Sequence, residues 1–418
     1  RRSGVRHYTR HTARPKRRHS GRQPEKGGNA TFYAFRLPLF CVYNRLPVQS
    51  KQSTAMKPIL RPAVPAALAL LLAACGSSEQ PITSTPNAAD TDPLAPLLIP
   101  KVNLPAPDVA QTGYSAHPDV QAFVAERRNQ GRGLDEGSLK AFFDSAGYRG
   151  DIIRLMDKPG TSRPWYVFRN NNAPAARIAA GQRFYRSHRA AIDDAAQRYG
   201  VPAGLIVAIL GIETNYGSNM GNIRLADSLP TLAFGYPRRA AYFRGELAEF
   251  LQLAAEEGRD PQSFSGSFAG AMGMPQFMPS SYRKWAADGD GDGRRDIWNN
   301  VADAAASVAN YMKQNGWQSG GRMAVPVTLT PTPELSALME RKTEMDHTVA
   351  DLKRMGVMPQ EAVADDEKAV LFRLETAPGE YRYFIGLNNF YTVWHYNNSR
   401  LYVMAVRDIA LGVGAGGL

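Results

Sequence analysis

Residues 201–217 read VPAGLIVAILGIETNYG, and this stretch decides the fold. Its first twelve residues carry no charge, so a helix over them would be apolar on every side and would lie inside the protein. Pro202 suits the first turn of such a helix, and Gly217 suits its end. The pattern therefore predicts a buried helix that ends in the acidic residue Glu213.

Glu213 is a single carboxyl group at the end of this apolar segment. Burial disfavours its charged form, and the negative end of the helix dipole acts in the same direction. A carboxyl group that keeps its proton near neutral pH can serve as a general acid. A lone glutamate at a helix end also occurs as a solvated cap or a salt-bridge partner, so the segment alone leaves both interpretations open.

The charge of the chain is concentrated at one end. The 418 residues carry a net charge of +12, and residues 1–55 hold thirteen Lys and Arg but only one acid, Glu25. The remaining residues are balanced, so the basic character does not predict a nucleic-acid ligand for the rest of the protein. We interpret residues 1–55 as upstream sequence from a misplaced start; the alternative is a genuine extension, such as a disordered nucleic-acid-binding arm.

A secretion signal follows from Met56 onward. A positively charged start leads into an apolar stretch at 63–72 that is too short to span a bilayer, and small residues precede Cys75. The run Leu-Ala-Ala-Cys resembles the bacterial lipobox, which implies that residues 56–75 are a lipoprotein signal peptide and that Cys75 is lipidated. With Gly76 next, the resemblance implies a periplasmic protein anchored to the inner leaflet of the outer membrane. Cys41 is the only other cysteine. If it lies upstream of the true start and Cys75 is lipidated, no disulfide can form.

The rest of the chain divides by composition. Residues 76–112 are rich in Pro, Ala, Ser and Thr, which predicts a flexible tether. About 300 residues remain, enough for two or three packed lobes. Apolar periodicity predicts helices within 118–158, 175–199 (one long helix), 239–258 and 301–315. Short β-branched and aromatic runs predict strands at 324–327, 369–374, 381–386 and 402–406.

A second constellation lies at residues 267–282, which read SFAGAMGMPQFMPSSY. Small residues let the backbone approach a ligand closely, and Met and Phe supply an apolar wall. Ser267 and Gln276 offer hydrogen bonds, and this mixture suits a sugar. The alternative is a tightly packed core loop.

A third constellation lies at residues 288–296, which read DGDGDGRRD. Acids at loop positions 1, 3 and 5 and Gly at position 6 match the start of an EF-hand calcium loop. Position 12 is Asn299 rather than Glu, so we expect Asp303, on the following helix, to close a longer loop. We predict a bound cation; the alternative is a solvated acidic turn.

Together these motifs resemble the lytic murein transglycosylase B family over residues 115–411. The resemblance also rests on GIET at 211–214, YPRRA at 236–240, SVANY at 307–311 and GLNNFY at 386–391. It implies an α+β, mainly α fold: a lysozyme-like core at about 175–320 with the acidic loop at 288–303, an added helical lobe, and a small β part at about 324–410. The catalytic domain would span 113–411.

The resemblance also implies roles for individual residues. Glu213 is the catalytic acid, and the saccharide cleft is lined by Ser267, Gln276, Tyr311, Tyr396, Asn397 and Tyr402. A structural Ca²⁺ ion, or Na⁺ in its place, is held by Asp288, Asp290, Asp292, the carbonyl of Arg294 and Asp303. No catalytic cofactor is implied. The partners are peptidoglycan glycan strands, the membrane through the lipid anchor and, as candidates, cell-wall synthases.

The mechanism follows from the number of carboxylates. Most glycosidases use two, but the sequence shows no evident second one beside Glu213. Asp193, Asp194 and Asp227 would serve only if folding brought them near. The resemblance implies instead that the C6 hydroxyl of N-acetylmuramic acid closes onto C1 and forms a 1,6-anhydro product without water. Two alternatives stay open: a hydrolase of the goose-lysozyme kind, and a non-catalytic wall-binding lipoprotein in which Glu213 is structural.

Overall fold

The structure is a computed structural model that describes residues 113–129, 134–157, 163–341 and 343–416. The segments expected at 1–55, 56–75 (with Cys75) and 76–112 lie outside these described residues. Within the described part, no single helix is long and apolar enough to cross a membrane. Two neighbouring helices, Arg189–Tyr199 and Ala203–Thr214, reach that length and apolar character only when taken together, and they are bent by 115° with respect to each other.

An N-terminal helical lobe opens the described chain. Asp135 begins its second helix by accepting a hydrogen bond from the Ser138 N–H, as a favoured N-cap residue does. The rings of Phe123, Phe143 and Phe234 pack edge-on in its core, with centroids 5.9 to 6.0 Å apart. The helices are α1 (Pro118–Asn129), α2 (Glu136–Ser145), α3 (Gly150–Met156) and α4 (Trp165–Asn172). The prediction of helices within 118–158 is confirmed.

The single long helix predicted over 175–199 is wrong. The structure has two helices, α5 (Ala175–Ser187) and α6 (Arg189–Tyr199), and His188 between them leaves the helical conformation at φ −122° and ψ 25°. The two halves pack against different partners: α5 contacts the C-terminal helix, and α6 contacts the helix Val301–Gln314. Tertiary packing therefore breaks a segment whose local pattern favours one continuous helix.

The apolar segment forms α7 (Ala203–Thr214), and every residue of it except Ile212 is buried. Gly204 lets this helix approach the C-terminal helix closely, since a Cβ there would lie 3.0 Å from the Ala410 carbonyl oxygen. The other helices of the core are α8 (Leu225–Gly235), α9 (Ala240–Glu256), α10 (Pro279–Trp285) and α11 (Val301–Gln314). The predictions for 239–258 and 301–315 are confirmed.

Two sheets complete the described fold. The small one pairs β1 (Ile223–Arg224) with β2 (Ser265–Gly266). The larger one contains β3 (Ala324–Thr328), β4 (His347–Thr348), β5 (Met358–Pro359), β6 (Lys368–Ala377) and β7 (Glu380–Gly386). Its strand order is β4-β6-β7-β3-β5, and all its pairings are antiparallel. With α12 (Pro333–Glu340) and α13 (Val349–Arg354), these strands enclose a hydrophobic cluster of their own.

The strand predicted at 402–406 is wrong. These residues lie inside α15 (Arg400–Val413), which follows α14 (Asn388–Tyr396). The Ser399 side chain caps α15 by accepting from the Tyr402 N–H, and Gly414 ends it with a φ of 74°. A short apolar run fits a buried strand or a buried helix equally well, so its pattern does not decide between them. The sheet therefore ends at Gly386, and the last two helices return to the core.

Candidate active site

Glu213 lies in the last turn of α7 and is only 8% exposed. The Tyr402 hydroxyl, on α15, donates a hydrogen bond of 2.6 Å to its Oε1 atom. The pairing exists because α7 and α15 pack along each other. Tyr402 was expected in a strand and, from the resemblance, in the saccharide cleft. Its contact with Glu213 was not predicted.

The chain turns sharply after Glu213. The Thr214 hydroxyl donates to the carbonyls of Leu210 (3.1 Å) and Met274 (3.0 Å), which ties the helix end to the segment 267–282. Asn215 ends the helix in the left-handed conformation with a φ of 50°, a position that Asn tolerates better than most residues. The helix therefore ends at Asn215, two residues earlier than the predicted end at Gly217.

The segment 267–282 forms a compact wall beside this turn. Gln276 adopts a left-handed φ of 52°, and its Nε2 donates to the carbonyls of Met220 (3.1 Å) and Gly273 (3.0 Å). Ser267 accepts a hydrogen bond of 3.0 Å from the Ala271 N–H through its hydroxyl. Most of the segment is buried, so it combines the features of a sugar-facing wall and of a packed core loop.

Two tyrosines donate hydrogen bonds to backbone carbonyls in and near this wall. Tyr396 donates to the Pro275 carbonyl, and Tyr311 donates to the His395 carbonyl at 2.9 Å. Their rings meet edge-on at 4.7 Å, and both residues are buried. In this structure they hold backbone in place, which their residue type alone did not indicate.

Asn397 follows directly after Tyr396 at the end of α14. It is buried, and its Oδ1 atom has no hydrogen-bond partner in the described part of the chain. A buried polar atom without a partner is unfavourable unless a ligand or water satisfies it. Asn397 thus offers an acceptor to an N–H donor.

The acids considered as a second catalytic carboxylate are engaged elsewhere. Asp227 accepts from the Arg224 guanidinium (2.6 Å) and from the Gly147 N–H (2.8 Å). Asp193 accepts from Tyr185, and Asp194 forms an ion pair with an arginine one helical turn further on. Each of these carboxylates stabilises local structure.

The acidic loop gathers three carboxylates. One oxygen from each of Asp288, Asp290 and Asp303 lies within 4.8 Å of the others. Asp292 lies outside this cluster, and its side chain accepts from the Arg294 N–H at 2.8 Å. Oxygen ligands this close together suit a hard cation such as Ca²⁺.

Burial and hydrogen bonds set the charge of this loop. Burial raises the pKa of Asp303, although its oxygens accept from the backbone N–H groups of Gly289 and Asp296 at 2.7 Å each. Hydrogen bonds from backbone N–H groups, of which that of Gly293 has the largest effect, hold the pKa of Asp288 below its ordinary value. A cation bound between Asp288 and Asp303 would favour the charged form of Asp303.

Two residues that shape the loop were not predicted from the sequence. Asp296 accepts from the N–H groups of Trp298 and Asn299 at 3.0 Å each, and so turns the chain towards α11. Asn300 caps α11 and also donates to Asp290 at 2.8 Å. The signal was present in the sequence, since Asp and Asn before a helix often hydrogen-bond to nearby backbone.

Comparisons with known proteins identify relatives of this chain. The Transglycosylase SLT domain family matches residues 115–411. The membrane-bound lytic murein transglycosylase B of Escherichia coli (strain K12) is 38% identical over 358 residues, which cover 83% of this chain and 95% of that protein.

Solved structures show the same fold. Catenated lytic transglycosylase SltB1 of Pseudomonas aeruginosa superposes with a TM-score of 0.69 at 37% identity, over 72% of this chain and 98% of that one. E. coli Slt35 in complex with calcium gives 0.66 at 38% identity, over 73% and 96%. P. aeruginosa SltB3 in complex with NAG-anhNAM-pentapeptide gives 0.61 at 30% identity, over 72% and 79%.

These neighbours confirm the predicted fold class, a mostly helical protein with a lysozyme-like core and a small sheet. The family match spans nearly all of the described residues, and the sequence identity extends over almost the full length of the E. coli relative. The chain therefore belongs to the lytic murein transglycosylase family, whose members are enzymes that cleave peptidoglycan.

Proposed function

We propose that this chain cuts the β-1,4 bond between N-acetylmuramic acid and N-acetylglucosamine, with Glu213 as the only catalytic carboxylate. The observation that carries the proposal is the position of Glu213: it is almost fully buried, held by Tyr402, and adjacent to the wall formed by 267–282. The relative SltB3 has been solved with an anhydro sugar peptide bound, and such a product forms when the substrate supplies the nucleophile.

The chemistry proceeds in two proton transfers. Protonated Glu213 gives its proton to the glycosidic oxygen, and the C1–O bond breaks with its electron pair going to that oxygen. The C6 hydroxyl of the same muramic acid then attacks C1 and returns its proton to Glu213. The product carries a 1,6-anhydro bridge, water is not consumed, and the enzyme ends in its starting state.

Asn397 has a role in this scheme. Its Oδ1 atom accepts the N–H of the acetamido group and so orients that group beneath C1, where its carbonyl oxygen can stabilise positive charge. The support is the buried Oδ1 without a partner. In Asn397→Ala we expect the turnover number to fall about tenfold, measured as the rate of release of soluble muropeptides. Unchanged turnover would refute this role of Asn397. The cleft itself is shaped by a separate set of residues, namely Ser267, Gln276, Tyr311 and Tyr396.

The acidic loop holds Ca²⁺ in a structural role. Asp288, Asp290 and Asp303 supply carboxylate oxygens. The resemblance to the family's metal loop adds Asp292 and the Arg294 carbonyl to this set. Three converging carboxylates support a divalent ion rather than Na⁺, and E. coli Slt35 was solved in complex with calcium. The ion ties the loop to α11 through Asp303 and stabilises that junction.

The enzyme works from the outer membrane, anchored through a lipid on Cys75. The support is the lipobox-like sequence together with the membrane-bound E. coli relative. An enzyme held there meets the glycan strands of the wall in the periplasm. Cell-wall synthases that act on the same strands are its candidate protein partners.

Product mass tests the central proposal. Purified sacculi are digested with the enzyme, and the muropeptides are analysed by mass spectrometry. We expect anhydro products, which are lighter by one water than hydrolysed ones. Products of the heavier mass would instead establish the goose-lysozyme type of hydrolysis.

A matched pair of variants tests Glu213. In Glu213→Gln we expect the turnover number to fall about 10³-fold, because the amide cannot donate or accept the required proton, while sedimentation with sacculi is retained. Glu334→Gln, an exposed glutamate in α12, should keep full activity. Full activity in Glu213→Gln would refute the catalytic role of Glu213.

A further inference from the structure

A second groove lies away from the candidate active site. It encloses about 850 Å³ between α4, the strands β3, β6 and β7, and α15. This volume is within the usual range for ligand sites. Neither Glu213 nor any residue assigned to the saccharide cleft lines it.

The helix α15 separates the two sites. Tyr402 points towards Glu213, whereas Met404, Arg407 and Asp408 line the groove. At about 100° per residue, these three lie roughly 140° to 240° around the helix from Tyr402, on its opposite side. A strand bound at Glu213 therefore does not fill the groove.

The lining of the groove carries more positive than negative charge. It contains Arg169, Arg382 and Arg407 but only one acid, Asp408. Asp408 accepts from Arg169 at 2.5 Å and lies 4.0 Å from Arg407. Arg382 is exposed and forms no ion pair within the described residues. Guanidinium groups bind carboxylates with paired, charge-assisted hydrogen bonds.

Aromatic rings provide part of the remaining surface. Tyr166, Tyr381 and Tyr383 line the groove, and Tyr381 is 42% exposed. Tyrosine rings give flat apolar contact area and a polar edge, which suits short peptides with alternating apolar and polar groups. Thr328 and Gln360 also line the groove and carry hydrogen-bonding groups.

We propose that this groove binds the carboxylate-bearing peptide of a peptidoglycan strand other than the one being cut. The proposal rests on the function proposed above, because it takes the cell wall as the ligand. A pentapeptide of the kind bound to SltB3 ends in a carboxylate, which complements Arg382. A second contact raises the overall affinity for the wall, because each contact holds the enzyme near the other.

Binding measurements with the full chain test this site. In a Glu213→Gln background, which leaves the sacculi intact, Arg382→Glu should raise the Kd for sacculi about tenfold in sedimentation assays. The difference should shrink at high salt. On glycan strands stripped of their peptides, the two proteins should bind equally. With Glu213 restored, turnover of short peptide-free glycan oligomers should be unchanged.

Lys368→Glu is the matched control. Lys368 is exposed at the other end of β6, about 20 Å along the strand from the groove residue Leu374. The Lys368→Glu substitution makes the same change in charge as Arg382→Glu and should leave binding to sacculi unaltered. Arg382→Gln, which adds no acid, should weaken binding in the same direction as Arg382→Glu and should melt at the same temperature as the parent.

Three results would overturn the proposal: equal binding of parent and Arg382→Glu to intact sacculi, an equal loss in Lys368→Glu, or an equal loss on peptide-free strands. None of these depends on the product of the reaction. Hydrolysed products in the digestion experiment, heavier by one water, would refute the transglycosylase chemistry and leave the binding result standing. Failure of the proposed function and failure of the proposed groove are therefore distinguishable.

Discussion

The Tyr402 hydroxyl holds the candidate catalytic acid from a helix near the end of the chain. The hydrogen bond is short, as expected when a phenol meets a carboxyl group in a buried place. Glu213 is almost fully buried, and its helix α7 packs along α15. Tyr402 therefore acts by positioning Glu213 in addition to any contact with the sugar.

Removing this hydroxyl should slow the reaction without weakening substrate binding. In Tyr402→Phe we expect the turnover number to fall about tenfold and KM to change little, because one hydrogen bond to the acid is lost and the ring remains. Steady-state release of muropeptides measures both quantities. Tyr199→Phe, on α6 outside the site, should behave as the parent. A rise in KM with unchanged turnover would show that Tyr402 binds the sugar only.

At the scale of elements, the acidic loop and α11 form one unit. Asp303 lies on α11, is fully buried, and accepts hydrogen bonds from two loop N–H groups. Burial raises its pKa, so the folded protein without a metal disfavours its charged form. This arrangement makes the stability of the junction depend on both pH and the cation.

Calcium should stabilise the protein more at higher pH. The pKa of Asp303 is higher in the folded than in the unfolded state, so without metal its contribution to stability is present below about pH 4 and is lost as the pH rises through the folded value. Calcium favours the carboxylate and restores stability there. At about 100 times Kd we expect about 2.7 kcal/mol, or a rise in Tm of about 5 °C.

Thermal unfolding of calcium-free and calcium-loaded protein at pH 5 and pH 8 measures this effect. The rise in Tm should be larger at pH 8, and Asp303→Asn should remove most of that difference. An equal rise at both pH values would contradict the assigned role of Asp303.

At the scale of the whole molecule, Arg400 joins the sheet region to the core. It begins α15, and its guanidinium donates to the Met339 carbonyl (2.6 Å), the Arg341 carbonyl (2.6 Å) and the Thr343 hydroxyl (2.8 Å). Burial lowers its pKa, and the three acceptors use the fork of donors that only arginine has. The same helix then presents Tyr402 to Glu213, so this junction lies next to the candidate active site.

Replacing Arg400 should loosen that junction. In Arg400→Met we expect the free energy of unfolding to fall by about 2–3 kcal/mol, because two backbone carbonyls and a hydroxyl lose their donor. Arg400→Lys should recover only part of the loss, since one ammonium group cannot reach all three acceptors. Urea unfolding gives the values. A full recovery in Arg400→Lys would show that charge alone, and not the geometry of the fork, matters.

Several features of the protein were readable from local sequence. The buried helix with Glu213 at its end and the acidic loop at 288–296 depend on residues close together in the chain, so composition and spacing predict them. The helices at 239–258 and 301–315 and the strands at 369–374 and 381–386 follow from the same local signals. The motifs also sufficed to identify the family.

The sequence by itself determined which segments are buried, where the candidate acid lies and which loop gathers carboxylates. Only the tertiary structure decided that residues 402–406 are helical, that the chain breaks at His188, and that Tyr402 meets Glu213. The groove beside Arg382 likewise exists only where three distant parts of the chain meet. The physical reason is that the pattern of a short apolar run fits a buried helix or a buried strand, and contacts between residues far apart in the chain form only when distant elements pack together.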